Sequence, residues 1–282
     1  MNVVGVCFWI TTRCNLRCQI CYADLNSAKD TDRTKCVRII DKLRQLGVRK
    51  IAFTGGDPLL VKYITSLLKY AKSSGFKVAL TTNAKLLSLE RLHEIEPYLD
   101  ELSVPLDGIT SSTSELHRTA KHNQQNVLDL VKQSSTLSVK LDVSTVVTGL
   151  NIKELPLMLT FLIENKVRKW KLLQYSGLNR PSNSYANFYV SNSKVDSMLC
   201  EMNIQSLKVR CLIEVDVRYS DSESINSYVN ILPNGDILLS KNDAYLIAGN
   251  IDDCASAADL NNLLLANGFS FEHHLARHFR DI

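Results

Sequence analysis

Three cysteines stand within eight residues, at positions 14, 18 and 21 of Thr11-Thr12-Arg13-Cys14-Asn15-Leu16-Arg17-Cys18-Gln19-Ile20-Cys21-Tyr22. Thiolates this close either converge on a metal centre or are unrelated core residues. An iron–sulfur cluster is ordinarily held by four cysteine thiolates, so three ligands leave one iron open. An open metal position is what chemistry needs, as catalytic zinc sites illustrate against closed structural ones. A structural zinc would want a fourth ligand at a usual spacing. Cys36 is the nearest, but it belongs to an apolar helical stripe, and Cys7 lies inside a strand-like run. Cluster, zinc and plain core thiols all stay open on spacing alone.

The elements that must position the triplet follow from periodicity. Val3–Thr12, rich in Val, Phe, Trp and Ile, predicts a strand that ends at the triplet. Thr31–Gly47 carries Cys36, Ile39, Ile40, Leu43 and Leu46 at helical spacing and closes on a glycine. The rhythm repeats through strands at Lys50–Thr54, Lys77–Thr82, Glu101–Leu106, Val139–Thr148 and Lys169–Tyr175. Helices at Leu59–Ser74, Ser88–Glu96, Gln124–Ser134 and Ile152–Lys166 separate them, Pro156 being tolerated in a first turn. Six β/α units over roughly residues 1–180 predict a parallel sheet with right-handed crossovers. A closed barrel has eight such units, so the expected fold is α/β, an open partial (β/α)6 barrel. In such folds the loops after the strands carry the active site. Residues 181–282 read as a small α+β extension capping the open side. Its expected elements are a helix at Asn192–Met202, a strand-like Lys208–Glu214, a hairpin turning at Pro233-Asn234-Gly235, and a helix at Ala255–Ala266.

Composition bounds the function. At 45% hydrophobic and 22% charged the chain is globular. A net charge of +4, with no basic run, tolerates an anionic small substrate and gives no reason to expect nucleic acid. The apolar start lacks a basic leader, and no run is long enough to span a bilayer, so the expected location is cytoplasmic. Eight cysteines there stay reduced.

The C-x3-C-x2-C spacing after a first strand resembles the signature of the radical S-adenosylmethionine (SAM) superfamily. Thr54-Gly55-Gly56-Asp57-Pro58, after the second strand, is similar to that family's GGEP motif, with Asp57 in place of Glu. The resemblance implies one [4Fe–4S] cluster on Cys14, Cys18 and Cys21, with SAM chelating the open iron and cleaved reductively to a 5′-deoxyadenosyl radical. It implies further that Ile20 lies against the adenine and Tyr22 offers it backbone, and that Gly55 and Gly56 bring backbone near the SAM amino group. Thr82, Asn83, Asp107 and Ser144, at later strand ends, are implied SAM contacts, against the plain alternative of turn chemistry. Pro105 stands where many relatives carry a SAM-contacting serine, so that contact is expected to be lost or replaced. An electron donor such as flavodoxin or ferredoxin is implied as partner.

Strand alternation puts Lys140, Asp142 and Ser144 on one face of the fifth strand, which is expected to look into the barrel. Trp170, Leu172 and Gln174 share a face of the sixth, with Gln174 at the substrate end. Arg118, Lys121, His122 and Asn123 precede a helix and read as an anion site or a solvated loop. His273, His274 and His278 read as a solvent-facing helix. Within the superfamily, Trp170-Lys171-Leu172-Leu173-Gln174 and Lys121-His122-Asn123-Gln124 are similar to segments of viperin and its prokaryotic relatives, which act on nucleotide triphosphates. Asp142 departs from that pattern, where viperin has a phosphate-binding Lys. The resemblance implies hydrogen abstraction from a nucleotide-like small molecule, with Lys121, Asn123, Lys140, Asp142 and Gln174 as substrate residues. A maturase of a peptide, or of a sugar or antibiotic precursor, is the alternative enzyme. A non-catalytic binding module is the third reading, which the intact triplet opposes.

Overall fold

The computed structural model describes residues 3–23, 31–118, 123–178, 186–209, 212–220, 226–241 and 244–278. The first strand is β1 (Gly5–Thr11), followed by α1 (Arg33–Gln45), where Asp32 caps the Lys35 N–H. Cys36, Ile39, Ile40 and Leu43 form its buried stripe, as the spacing predicts. Strands β2 (Lys50–Gly55), β3 (Lys77–Thr81), β4 (Glu101–Pro105), β5 (Lys140–Val147) and β6 (Lys169–Gln174) follow at the expected places. Each pairs in parallel with the one before.

The last hundred residues join the same sheet. Strand β7 (Glu214–Arg218) extends it in parallel beside β6. At the other side β8 (Asn230–Ile231) pairs in parallel with β1, and β9 (Asp236–Lys241) and β10 (Ala244–Asn250) add antiparallel strands. The order is β10-β9-β8-β1-β2-β3-β4-β5-β6-β7, and the sheet does not close.

Three expectations are corrected. Lys208–Glu214 was the expected strand, but Ile204–Val209 is helical and the strand begins at Glu214. Ser111–Arg118 forms a helix that periodicity does not announce, because its four-residue polar start Ser-Ser-Thr-Ser carries no apolar period. The C-terminal Phe271–His278 helix is not solvent-facing throughout. His274 is only 1% exposed, its Nε2 accepting the Val4 N–H at 3.0 Å and its Nδ1 donating to Ser227 O at 3.1 Å. No helix among the described residues is long and apolar enough to cross a membrane.

The side chains of Arg218 at the end of β7, Tyr228 just before β8 and Arg277 of the C-terminal helix form a stitch. Arg218 donates to the Tyr228 hydroxyl, and Arg277 lies 3.8 Å over the Tyr228 ring. Stacking of a guanidinium on an aromatic face is attractive and leaves its edge N–H groups available to other partners.

Candidate active site

The cysteine loop leaves the C-terminal end of β1 and is fastened from several directions. Gly56 N–H donates to Thr11 O and Asp57 N–H to Arg13 O, each at 2.8 Å. A Cβ on Gly55 would lie 2.0 Å from Thr11 O, and one on Gly56 would lie 1.9 Å from Arg13 O. Gly55 also has φ +135°, a conformation that side chains disfavour. Both glycines therefore let the turn after β2 press on the backbone that leads into Cys14.

Asp57 is fully buried and caps the short turn that follows. One oxygen accepts the Leu59 N–H at 2.9 Å, and the other accepts the Thr82 hydroxyl and the Asn83 N–H at 2.8 Å each. Burial pushes the carboxyl above its ordinary range, while these hydrogen bonds favour the charged form. The aspartate in place of glutamate thus ties the ends of β2 and β3 together.

Asn83 carries the tie onward. Its Nδ2 donates to Asn15 Oδ1 at 2.8 Å and lies 3.6 Å from Cys14 Sγ, which the Leu16 N–H also approaches at 3.4 Å. Its carbonyl accepts from Asn123 Nδ2 at 2.9 Å. Asn123 is itself buried, and its Oδ1 finds no hydrogen-bond partner among the described residues. Lys121 and His122, read with it as an anion site, lie outside the described residues.

The helix Ser111–Arg118 braces the other side of the loop. His117 O accepts from Gln19 N at 3.0 Å, and Arg118 O accepts from the Cys18 thiol at 3.7 Å. Arg118 is ion-paired with Asp107, whose other oxygen accepts the Val146 N–H at 2.7 Å. The His117 ring is buried between Thr113 O and the Thr148 hydroxyl. Arg118 is therefore a paired, partly buried cation beside Cys18 and not part of a solvated loop. Helical placement of His117 and Arg118 was the missing signal.

The thiols sense one another. Burial pushes Cys18 up to about 11, with the charges of Cys21, Asp107 and Cys14 adding and Arg118 opposing. Burial likewise raises Cys14, against the hydrogen bond from Leu16. A raised pKa holds the proton more tightly, so a metal centre bound at these sulfurs would have to displace their protons with its own positive charge. Among the described residues no three His, Cys, Asp or Glu groups converge on a single-ion position. A cluster does not require that, because its protein thiolates bind different irons.

The loop opens on a cavity of about 1890 Å³ inside the barrel, lined by Ile20 and Tyr22 among others. Tyr22 is half-exposed and edges onto Trp9, with ring centroids 6.2 Å apart. Lys140, Asp142 and Ser144 all line the cavity, as alternation predicted. Ser144 Oγ is 2.9 Å from Ser103 Oγ, Asp142 is buried, and Lys140 is exposed at the start of its strand. On β6 the inward residues are Lys169, Lys171 and Leu173, while Trp170 and Leu172 are buried on the helix side. Trp170 Nε1 donates to Thr145 Oγ1 there at 2.8 Å. Gln174 reaches the cavity but its amide is engaged by protein. Nε2 donates to Val190 O and Asn192 Oδ1, and Oε1 accepts from the Ser220 N–H and hydroxyl. Alternation does not single out the inward lysines of β6, because Trp170, Leu172 and Leu173 put apolar residues on both faces.

The family model described as the Radical SAM superfamily matches residues 10–162, and the chain belongs to that superfamily. It is an enzyme that works with SAM and an iron–sulfur cluster. It is 25% identical over 263 residues to an S-adenosylmethionine-dependent nucleotide dehydratase of Flammeovirga pacifica, covering 89% of this chain and 87% of that protein. A dehydratase of the same description from Lacinutrix mariniflava is also 25% identical, over 78% of this chain, and this chain spans about half (51%) of its length. The solved structure of anSMEcpe with bound AdoMet and Cp18Cys peptide superposes with a TM-score of 0.72 at 14% identity. It covers 96% of this chain and 81% of that one, and shares the fold.

Proposed function

We propose that this enzyme cleaves SAM reductively at one [4Fe–4S] cluster on Cys14, Cys18 and Cys21 and directs the radical onto a nucleotide-like molecule in the barrel. The observation that carries the reading is that Ile20 and Tyr22 of the cysteine loop line the same cavity as Lys140, Asp142 and Ser144. The nucleotide part rests on the dehydratases similar to this chain over most of its length. Bound at the three thiolates, such a cluster supplies one electron and an open iron for SAM.

The chain's own residues do the positioning. Gly55, Gly56 and Asp57 hold the loop at the barrel mouth, and Thr82 and Asn83 complete that brace. Asn83 offers an N–H toward the Cys14 sulfur. Asp107 holds the partly buried Arg118 beside Cys18, where its cation favours thiolate. Lys121, Asn123, Lys140, Asp142 and Gln174 remain the substrate candidates, with Gln174 shaping the wall by fixing Ser220. Residues 1–180 would form the catalytic core and 181–282 the part that completes its sheet. A flavodoxin- or ferredoxin-like donor and a reducing, cytoplasmic setting suit a cysteine triplet that is to serve as thiolate ligands.

The test is anaerobic reconstitution, then SAM and dithionite with panels of nucleotides, peptides and sugars, reading 5′-deoxyadenosine. Stimulation by a nucleotide supports the proposal. Stimulation only by a peptide or sugar transfers the enzyme to that substrate class.

A further inference from the structure

Ser103, Asp142, Ser144 and Lys171 meet on the cavity wall formed by β4, β5 and β6. Ser103 stands opposite Asp142 in the sheet register, and Ser144 opposite Lys171. Lys171 Nζ lies 2.5 Å from Asp142 Oδ2, with the aspartate side chain 6% exposed and the lysine 17%. Lys169, the register partner of Asp142 on β6, reaches instead for Glu214 at 3.2 Å and Asp216 at 3.8 Å. Asp142 Oδ1 accepts no hydrogen bond among the described residues. The Ser103 and Ser144 hydroxyls are 2.9 Å apart. One hydroxyl proton makes the bond between them, and the other is left to give.

A buried carboxylate with one idle oxygen carries a desolvation cost that a hydrogen-bond donor on a ligand would offset. The surroundings decide which donor fits. A phosphate sets negative charge against Asp142, and an ammonium sets positive charge against Lys171. A nucleobase amino group gives a proton but accepts none in return from Lys171. A neutral hydroxyl suits every neighbour. Its proton goes to Asp142 Oδ1, and its oxygen accepts from the Lys171 ammonium or from the spare serine proton. Sugar hydroxyls are the neutral hydroxyls of a nucleotide, and an acidic side chain is a recurrent partner for them in nucleotide sites.

We propose that Asp142, seated on Lys171, binds a ribose hydroxyl of the substrate and makes the cavity selective for a sugar that carries it. This rests on the nucleotide reading above. Calorimetric titration of the reconstituted protein tests it at fixed ionic strength. The probes are the ribonucleoside mono- and triphosphates of each common base, then the 2′-deoxy and 3′-deoxy forms of the one that binds best. That ribonucleotide should bind at least tenfold more tightly than one of its deoxy forms, the scale of a lost hydrogen bond to a charged group. Asp142→Leu combined with Lys171→Met removes the pair without leaving a lone buried charge. It should bring the preference below about threefold at the parent's iron content. Asp142→Asn, the milder change, should cut the preference at least threefold and decides the matter if the double variant fails to hold its iron. A wild-type protein that binds the ribo- and both deoxy forms equally overturns the inference and leaves the nucleotide reading intact. Variants that keep the full preference overturn it too, since another residue then reads the hydroxyl. Binding of no nucleotide at all removes the nucleotide reading, and the inference falls with it.

Discussion

The Thr82 hydroxyl donates to the Asp57 carboxylate at 2.8 Å, in a site closed to water. This short carboxylate joins the turn after β2 to the end of β3, and through Asn83 it reaches Cys14. The superfamily's more usual glutamate would not be an improvement here. Asp57→Glu adds a methylene to a filled space, so we expect a loss of about 1–3 kcal/mol in urea unfolding. A variant as stable as the parent would show that the site has room and that the tie is not tight.

Gly56→Ala should act on the cysteine loop more than on the barrel. The new Cβ would overlap Arg13 O, which is backbone and cannot swing aside. The loop must shift, so iron retained after reconstitution should fall at least several-fold. Far-ultraviolet circular dichroism should stay close to that of the parent. Full iron loading in the variant would contradict the close approach described above.

His274 makes both of its hydrogen bonds only as a neutral ring. Burial, with His278 and Arg277 adding, pulls its pKa from 6.5 down to about 4. The unfolded chain therefore takes up this proton near pH 6.5, and the folded chain only near pH 4. The contribution is whole above pH 6.5 and is lost as pH falls toward 4, by about 3 kcal/mol in all. Denaturant unfolding from pH 8 to 4 should show the decline, and His274→Gln should lack that component. Equal slopes in both proteins would sink this assignment.

Legibility in the sequence followed the strength of local signals. The stripe Cys36, Ile39, Ile40 and Leu43 and the strands at 50, 77, 101, 140 and 169 needed nothing beyond periodicity. The inward face of β5 was legible because its polar and apolar residues alternate cleanly. On β6 both faces hold apolar residues, and only the barrel decides that Lys169 and Lys171 point in. Strand β10, Ala-Tyr-Leu-Ile-Ala-Gly-Asn, has no alternation and forms by pairing with β9. The cysteine triplet and glycine pair stood out by spacing. The brace of His117, Arg118 and Asp107 joins segments far apart in sequence, and no local pattern announces it.

The hydrogen bond from Val4 to His274 spans 270 residues of chain. Contacts this distant form late, since loop closure precedes their reward. During synthesis the start of β1 therefore waits for residue 274 before its first buried amide is satisfied. Throughout that interval the three thiols of the adjoining loop sit on an unfinished scaffold. A fragment ending before His274 lacks the acceptor for the Val4 amide, so its cysteine loop should oxidise faster than that of the full chain.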